Sequence, residues 1–225
     1  MSLVIISATR HSEQEFWEVS PLGQSLTRLS FDSRIRSLLA YSNQAGLSLV
    51  YNHCLSLMQD DEIALFIHDD VWIEDFAICD HLQAGLDVFD VVGVVGNKRR
   101  IAGQPSWYFL DNSWATDDKA NLSGRLGFGD YPFASIQDFG PVPCDCELLD
   151  GVLMAVRRST LDKAGVRFDP RFAFHFYDLD FCRQLRAAGL RIGTWPVCIT
   201  HQSAGGFGTR SWDEAYKLYL EKWGD

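Results

Sequence analysis

The stretch Glu62-Ile63-Ala64-Leu65-Phe66-Ile67-His68, followed at once by Asp69-Asp70, decides the fold. Its apolar run is continuous instead of alternating, the mark of a central strand covered on both faces in a parallel sheet. It ends abruptly in three side chains that carry charge or can bind a metal. In an extended exit His68 and Asp70 point to one side and Asp69 to the other. Ligands of open α/β sheets collect outside the carboxyl ends of such strands. Asp70, with His68 close by, therefore suits a hard divalent cation such as Mg²⁺ or Mn²⁺, which fills its remaining shell with phosphate oxygens and water. The plainer alternative is that Asp69-Asp70 only cap the following turn.

Upstream of this exit, Leu3–Ala8 reads as a buried opening strand, and Leu47 to Met58 repeats apolar residues at three- and four-residue steps, as one face of a helix does. Downstream, a helix is expected to start near Glu74, and Val88 to Val95 reads as one further buried strand. Strand, helix, strand, helix, strand predicts an α/β fold with a mostly parallel central sheet flanked by helices. From Gly96 to Cys146 the periodicity dissolves into glycine, proline and aromatic residues, among them Trp107, Tyr108 and Trp114. Strand character resumes over Leu148 to Val156. Short helices follow at Ser159–Gly165 and Asp178–Ala188, then a return to the sheet over Leu190–Thr200, and a closing amphipathic helix at Trp212–Trp223. No linker or repeat divides the 225 residues, so one domain over 1–225 is expected.

Composition excludes several classes. Twenty Lys and Arg against thirty Asp and Glu give a net charge of −10, and the only dense basic run is Lys98-Arg99-Arg100. That is a poor match to a nucleic-acid binder. Hydrophobic residues at 47% exclude a disordered chain. The six cysteines are scattered apart from Cys144 and Cys146, which favours buried thiols over a zinc site. The N-terminal run lacks the basic flank of a secretory signal, and no window is long enough to span a membrane. A cytoplasmic location is the expectation.

Two more segments can carry chemistry. Phe174 to Arg183 places Asp178 and Asp180 at a helix start, where one serves as an N-cap and the other is free to act as a general base. His201 stands at the end of another strand, before the glycine-rich Gly205-Gly206 loop, where it can bind a metal. Beyond that loop, Arg210 can reach a phosphate or remain a surface residue.

Taken in order, the strand ending His68-Asp69-Asp70, then Leu149-Asp150-Gly151, then Gly165 to Asp169, then Tyr177-Asp178-Leu179-Asp180 with Gly189, then His201, resemble the family 2 type nucleotide-sugar glycosyltransferases of GT-A fold. Within that family the likeness is to the short bacterial subgroup of capsule and streptomycin biosynthesis. It covers roughly Gly46 to Gly206, including the Gly46–Asn52 segment ahead of the metal-binding strand.

The resemblance implies a nucleotide-binding half over about residues 1–96 and an acceptor and catalytic half over about 97–225. It implies that His68-Asp69-Asp70 is the counterpart of the family's Asp-x-Asp element, with Asp70, His201 and His68 at a Mn²⁺ or Mg²⁺ ion. Asp69, Asn52, Arg10 and Arg210 are then candidates for the nucleotide-diphospho-sugar donor, and Asp150 and Trp107 for the acceptor. The catalytic base of an inverting transfer to a saccharide or other hydroxyl is Asp178 or Asp180. Two residues depart from the family pattern: His68 stands in place of the first Asp, and Tyr177 where many members have Glu. Those departures leave open a non-catalytic nucleotide-sugar or glycan-binding module of the same fold, and the Asp69-Asp70 pair by itself leaves open a metal-dependent phosphohydrolase.

Overall fold

The computed structural model describes residues 2–203 and 205–225. The first part of the chain runs β1 (Leu3–Ala8), α1 (Glu13–Val19), α2 (Pro21–Arg28), β2 (Ile35–Ala40), α3 (Leu47–Ser56), β3 (Ile63–Ile67), β4 (Val71–Ile73) and α4 (Ile78–Leu86). The middle is strand-rich: β5 (Val91–Gly93), β6 (Val95–Asn97), β7 (Leu122–Phe128), β8 (Ser135–Gly140), β9 (Cys144–Cys146), β10 (Leu148–Leu149) and β11 (Leu153–Arg157). It closes with α5 (Arg158–Ala164), α6 (Tyr177–Ala187), β12 (Ile192–Thr194), β13 (Ile199–His201) and α7 (Arg210–Trp223).

Two sheets form. The larger has the order β2-β1-β3-β11-β5-β12-β9, the smaller β10-β6-β7-β13-β4, with β8 paired to β7. β3 is buried throughout and lies between β1 and β11, as its unbroken apolar run predicts. The expected parallel arrangement holds where β2, β1 and β3 pair and again where β5 meets β12. It is corrected at β11, which runs antiparallel to both β3 and β5, and at β9. The large sheet is therefore mixed, and strands from both sides of residue 96 share it.

Three other expectations are corrected. Val88 to Val95 does not form one strand: β5 and β6 are separated at Val94, where the chain leaves the large sheet for the small one. Leu148 to Val156 breaks in the same manner between β10 and β11. The helix expected near Glu74 begins at Ile78, because Val71–Ile73 is taken up as β4 and the Asp75 carboxylate accepts from the Ala77 N–H in a turn.

Helices α1 and α2, which the sequence pattern did not disclose, are fixed by their caps. Ser12 and Glu15 form a reciprocal capping box, and the Ser20 hydroxyl accepts from the Gly23 N–H ahead of Pro21 at the first helical position. Only Phe16 of α1 is buried, so its apolar period is too sparse to read.

Candidate functional site

The strand exit after β3 becomes a site through a pairing that brings in the far end of the chain. β4 starts at Val71 and runs antiparallel to β13, in a register that sets His201 opposite Val71. The Gln202 N–H then donates to the Asp70 carbonyl at 2.9 Å. His201 Nε2 consequently lies 3.2 Å from Asp70 Oδ1. One potential ligand atom each from His68, Asp70 and His201 lies within 4.8 Å of the other two. Two ligands on one ion, each bound at about 2.2 Å, can stand at most about 4.4 Å apart. The three residues thus fit a single cation after a small inward adjustment.

The protonation states suit that role. Burial opposes ionisation of Asp70, but the hydrogen bond and charge of His201, with His68 adding to them, outweigh it and hold the carboxyl well below its usual range. Burial, and next the proximity of His201, lowers His68 below its ordinary value, which favours the neutral imidazole. A carboxylate and a neutral imidazole are the forms that bind metals.

These groups line one cavity of about 830 Å³. Asp178 opens onto it from the first turn of α6. Its Oδ2 accepts from the Gly151 N–H at 3.0 Å and its Oδ1 from the Leu179 N–H at 2.9 Å. Burial, and after it the negative charge of Asp150, raises this carboxyl to about 7, against the pull of those backbone donors. Asp150 and Trp107 line the same cavity and are bonded to each other, the indole N–H donating to Asp150 Oδ2 at 2.5 Å. Asp69 is a further lining residue. Among the described residues, the ionisable side chains on the cavity wall are four aspartates (69, 70, 150 and 178), three histidines (68, 175 and 201), Tyr51, Tyr108 and Tyr177; no Lys or Arg lines it.

The remaining expected site residues lie elsewhere. Asp180 is fully buried against α7, with Lys222 Nζ at 2.6 Å from Oδ1 and the Trp223 indole at 2.9 Å. Neither Asp178 nor Asp180 is the N-cap, a position held by Phe176 in a left-handed conformation at φ 63°. The Asn52 side chain bridges the backbone of Phe168, donating to its carbonyl at 2.7 Å and accepting from its N–H at 3.1 Å. Arg10 is exposed and not among the lining residues. Arg210 opens α7, its side chain 92% exposed and paired with Glu214 at 2.8 Å. Two ionisable lining residues escaped the sequence reading: Tyr51, whose spacing in α3 reads only as core, and His175, in a stretch read only for its acids.

No protein-family model and no curated protein matches the chain by sequence. Its three-dimensional structure is similar to solved glycosyltransferases. GalNAc-T7 with UDP, GalNAc and Mn²⁺ superposes with a TM-score of 0.54 at 10% identity, over 98% of this chain and 48% of that one. The mannosyltransferase PcManGT from Pyrobaculum calidifontis, in complex with GDP-Man and Mn²⁺, gives 0.55 at 12% identity, over 99% and 64%. The catalytic domain of Drosophila β1,4-galactosyltransferase 7, in complex with xylobiose, gives 0.50 at 10% identity, over 96% and 79%. The chain spans about half the length of the GalNAc-T7 chain it matches. Likeness at this level of identity establishes the fold, and the fold is GT-A.

Proposed function

We propose that the chain is an inverting glycosyltransferase that moves a sugar from a nucleotide-diphospho-sugar to an acceptor hydroxyl with the help of a divalent cation. The observation that carries this reading is the meeting of His68, Asp70 and His201 on the wall of the cavity that also holds Asp178. Two imidazoles and one carboxylate favour Mn²⁺ over Mg²⁺, which prefers oxygen ligands. When bound, the ion neutralises the charge that builds on the leaving diphosphate, a Lewis-acid effect worth several kcal/mol. His68, Asp70 and His201 would hold it there. Among the described residues the cavity wall offers four aspartates and no Lys or Arg to a diphosphate, so like charge opposes donor binding without a cation.

Asp178 takes the proton of the acceptor hydroxyl. Its carboxyl, raised to about 7, is matched to a general base working near neutral pH. Asp180, already committed to Lys222, is left out of the site. Asp69 addresses the donor, and the bonded pair Trp107 and Asp150 forms the acceptor side, where the indole plane suits a sugar ring. Arg10, Asn52 and Arg210 have no place in this arrangement. A bacterial polysaccharide or glycoconjugate as acceptor, and a cytoplasmic place of action, rest on the sequence resemblance and composition alone.

Calorimetry of nucleoside diphosphates and their sugars with and without Mn²⁺, followed by a transfer assay, tests the proposal. A donor that binds only with Mn²⁺ and is then consumed supports it. Equal donor affinity in EDTA would overturn the metal role, and metal-dependent binding without transfer or slow hydrolysis would leave a non-catalytic binding module.

A further inference from the structure

Two side chains that stand far apart in sequence, His68 and Tyr177, are bonded to each other: His68 Nε2 lies 2.9 Å from the Tyr177 hydroxyl. That hydroxyl lies 3.0 Å from the Gly151 carbonyl oxygen. A phenol has one proton to give, a carbonyl can only accept, and a neutral imidazole has one N–H and one lone pair. The three atoms therefore fix one another. With the phenol donating to Gly151, its oxygen must accept from His68, so the imidazole carries its proton on Nε2 and its lone pair on Nδ1. The reverse direction leaves the buried Gly151 carbonyl without its phenol donor.

The surroundings hold the phenol in place. Tyr177 is 4% exposed and packs edge-on against Tyr51, with ring centroids 5.8 Å apart. Gly151 is required for the approach, because a Cβ there would come 2.2 Å from the Tyr177 hydroxyl oxygen. Tyr177 is also the residue before Asp178, and the Asp178 carboxylate accepts from the N–H of the same Gly151. One glycine thus anchors both the proposed base and the phenol that touches His68.

We propose that Tyr177 is a positioning residue for the metal. It locks His68 as the Nε2–H tautomer and aims the Nδ1 lone pair at the ion shared with Asp70 and His201. The proposal rests on the metal-dependent reading above. Partners that orient a ligating histidine typically change metal affinity by about 10–100-fold when removed.

The test needs no sugar donor. Mn²⁺ affinity is measured by calorimetry for the wild-type chain and for Tyr177→Phe, and the His68 tautomer is read by long-range ¹H–¹⁵N NMR of the metal-free chain. The expected results are an Nε2–H tautomer in the wild type, its loss in Tyr177→Phe, and a fall in Mn²⁺ affinity of about tenfold or more. Gly151→Ala, which crowds the same phenol, is expected to weaken Mn²⁺ in the same direction. An Nδ1–H tautomer in the wild type overturns the proposal even if neither variant folds. A wild type that binds Mn²⁺ and a folded Tyr177→Phe that binds it within twofold overturn the positioning role alone. A wild type that binds no Mn²⁺ overturns the metal-dependent reading with it.

Discussion

Asp178 and Asp180 stand two residues apart on α6 and therefore about 200° apart around its axis, and that rotation sends them into opposite environments. Asp180 turns toward α7 and finds Lys222, Gln184 and the Trp223 indole. Lys222 is shared with Asp169 at 2.8 Å, and Arg183, bonded to Asp225 at 2.5 Å, lies over the Trp223 ring. Asp178 turns toward the cavity, where its hydrogen-bond partners are two backbone N–H groups and its charged neighbour is the like charge of Asp150. Burial raises the Asp180 carboxyl as well, against the pull of Lys222 and the Trp223 indole, and that ion pair ties it to the packing of α7. Asp178, half-buried beside a like charge, is raised to about 7 while facing the cavity.

The contrast breaks most visibly through the proposed cation. Asp70→Ala is expected to abolish Mn²⁺-dependent donor binding in calorimetry and to cut transfer by about 10³-fold or more, the scale of a lost Lewis acid. The melting temperature should change little, because Asp70 anchors β13 through its backbone carbonyl, which alanine keeps. Donor binding that survives in this variant would mean that the acidic wall tolerates a diphosphate unaided.

Asp178→Asn is the next largest effect. Donor binding should persist while transfer falls by about 10²–10⁴-fold, the range of general-base assistance. In the wild type, with the carboxyl at about 7, log(kcat/KM) should rise with pH up to neutrality and level off above it, since the ionised form is the base. Stability runs in the opposite sense. The folded carboxyl holds its proton from about pH 4, where an unfolded aspartate releases it, up to about pH 7. The stabilisation linked to that proton is full at acidic pH and is lost as pH rises through about 7. Asp178→Asn should therefore melt above the wild type at pH 8 and lose that advantage toward pH 4. A wild-type rate that is flat from pH 5 to 8 would move the base elsewhere.

Asp180→Asn should give the reverse pattern. It leaves the half-buried Lys222 with only Asp169 as partner and should destabilise by about 2 kcal/mol, the scale of a lost hydrogen bond to a charged group, while the folded fraction transfers sugar at the normal rate. A loss of turnover with unchanged stability would exchange the roles of the two acids.

The primary structure exposed one side of this comparison better than the other. The β3 run and its His68-Asp69-Asp70 exit were legible because burial on both faces writes itself as uninterrupted apolar residues, and the end of the run locates the site. The convergence of His201 on Asp70 was expected only through the resemblance, since it depends on two three-residue strands too short to carry a period. The different surroundings of Asp178 and Asp180 were not legible at all, because Lys222 and Trp223, which hold Asp180 away from the cavity, come from a different helix. Asn52, Arg10 and Arg210 were the right residue types for a donor, but side-chain direction and pairing, which decide their use, are properties of the packed chain.

The smallest effect tests the claim that no fixed positive charge serves the donor. Arg210 lies in solvent at the start of α7, paired with Glu214 one turn on, and such exposed pairs contribute little. Arg10 is likewise exposed. Replacing both with alanine should change donor affinity in the presence of Mn²⁺ by less than about twofold. The positive left-handed backbone at Gly205 and Gly208, φ 84° and 68°, gives the segment before Arg210 a conformation that glycine adopts without strain. If the double variant lost tenfold or more, that segment would have to fold inward on the bound donor and carry Arg210 to the diphosphate. The cavity would then acquire its missing cationic side chain only in the complex, and the metal would share a task that its ligands otherwise perform alone.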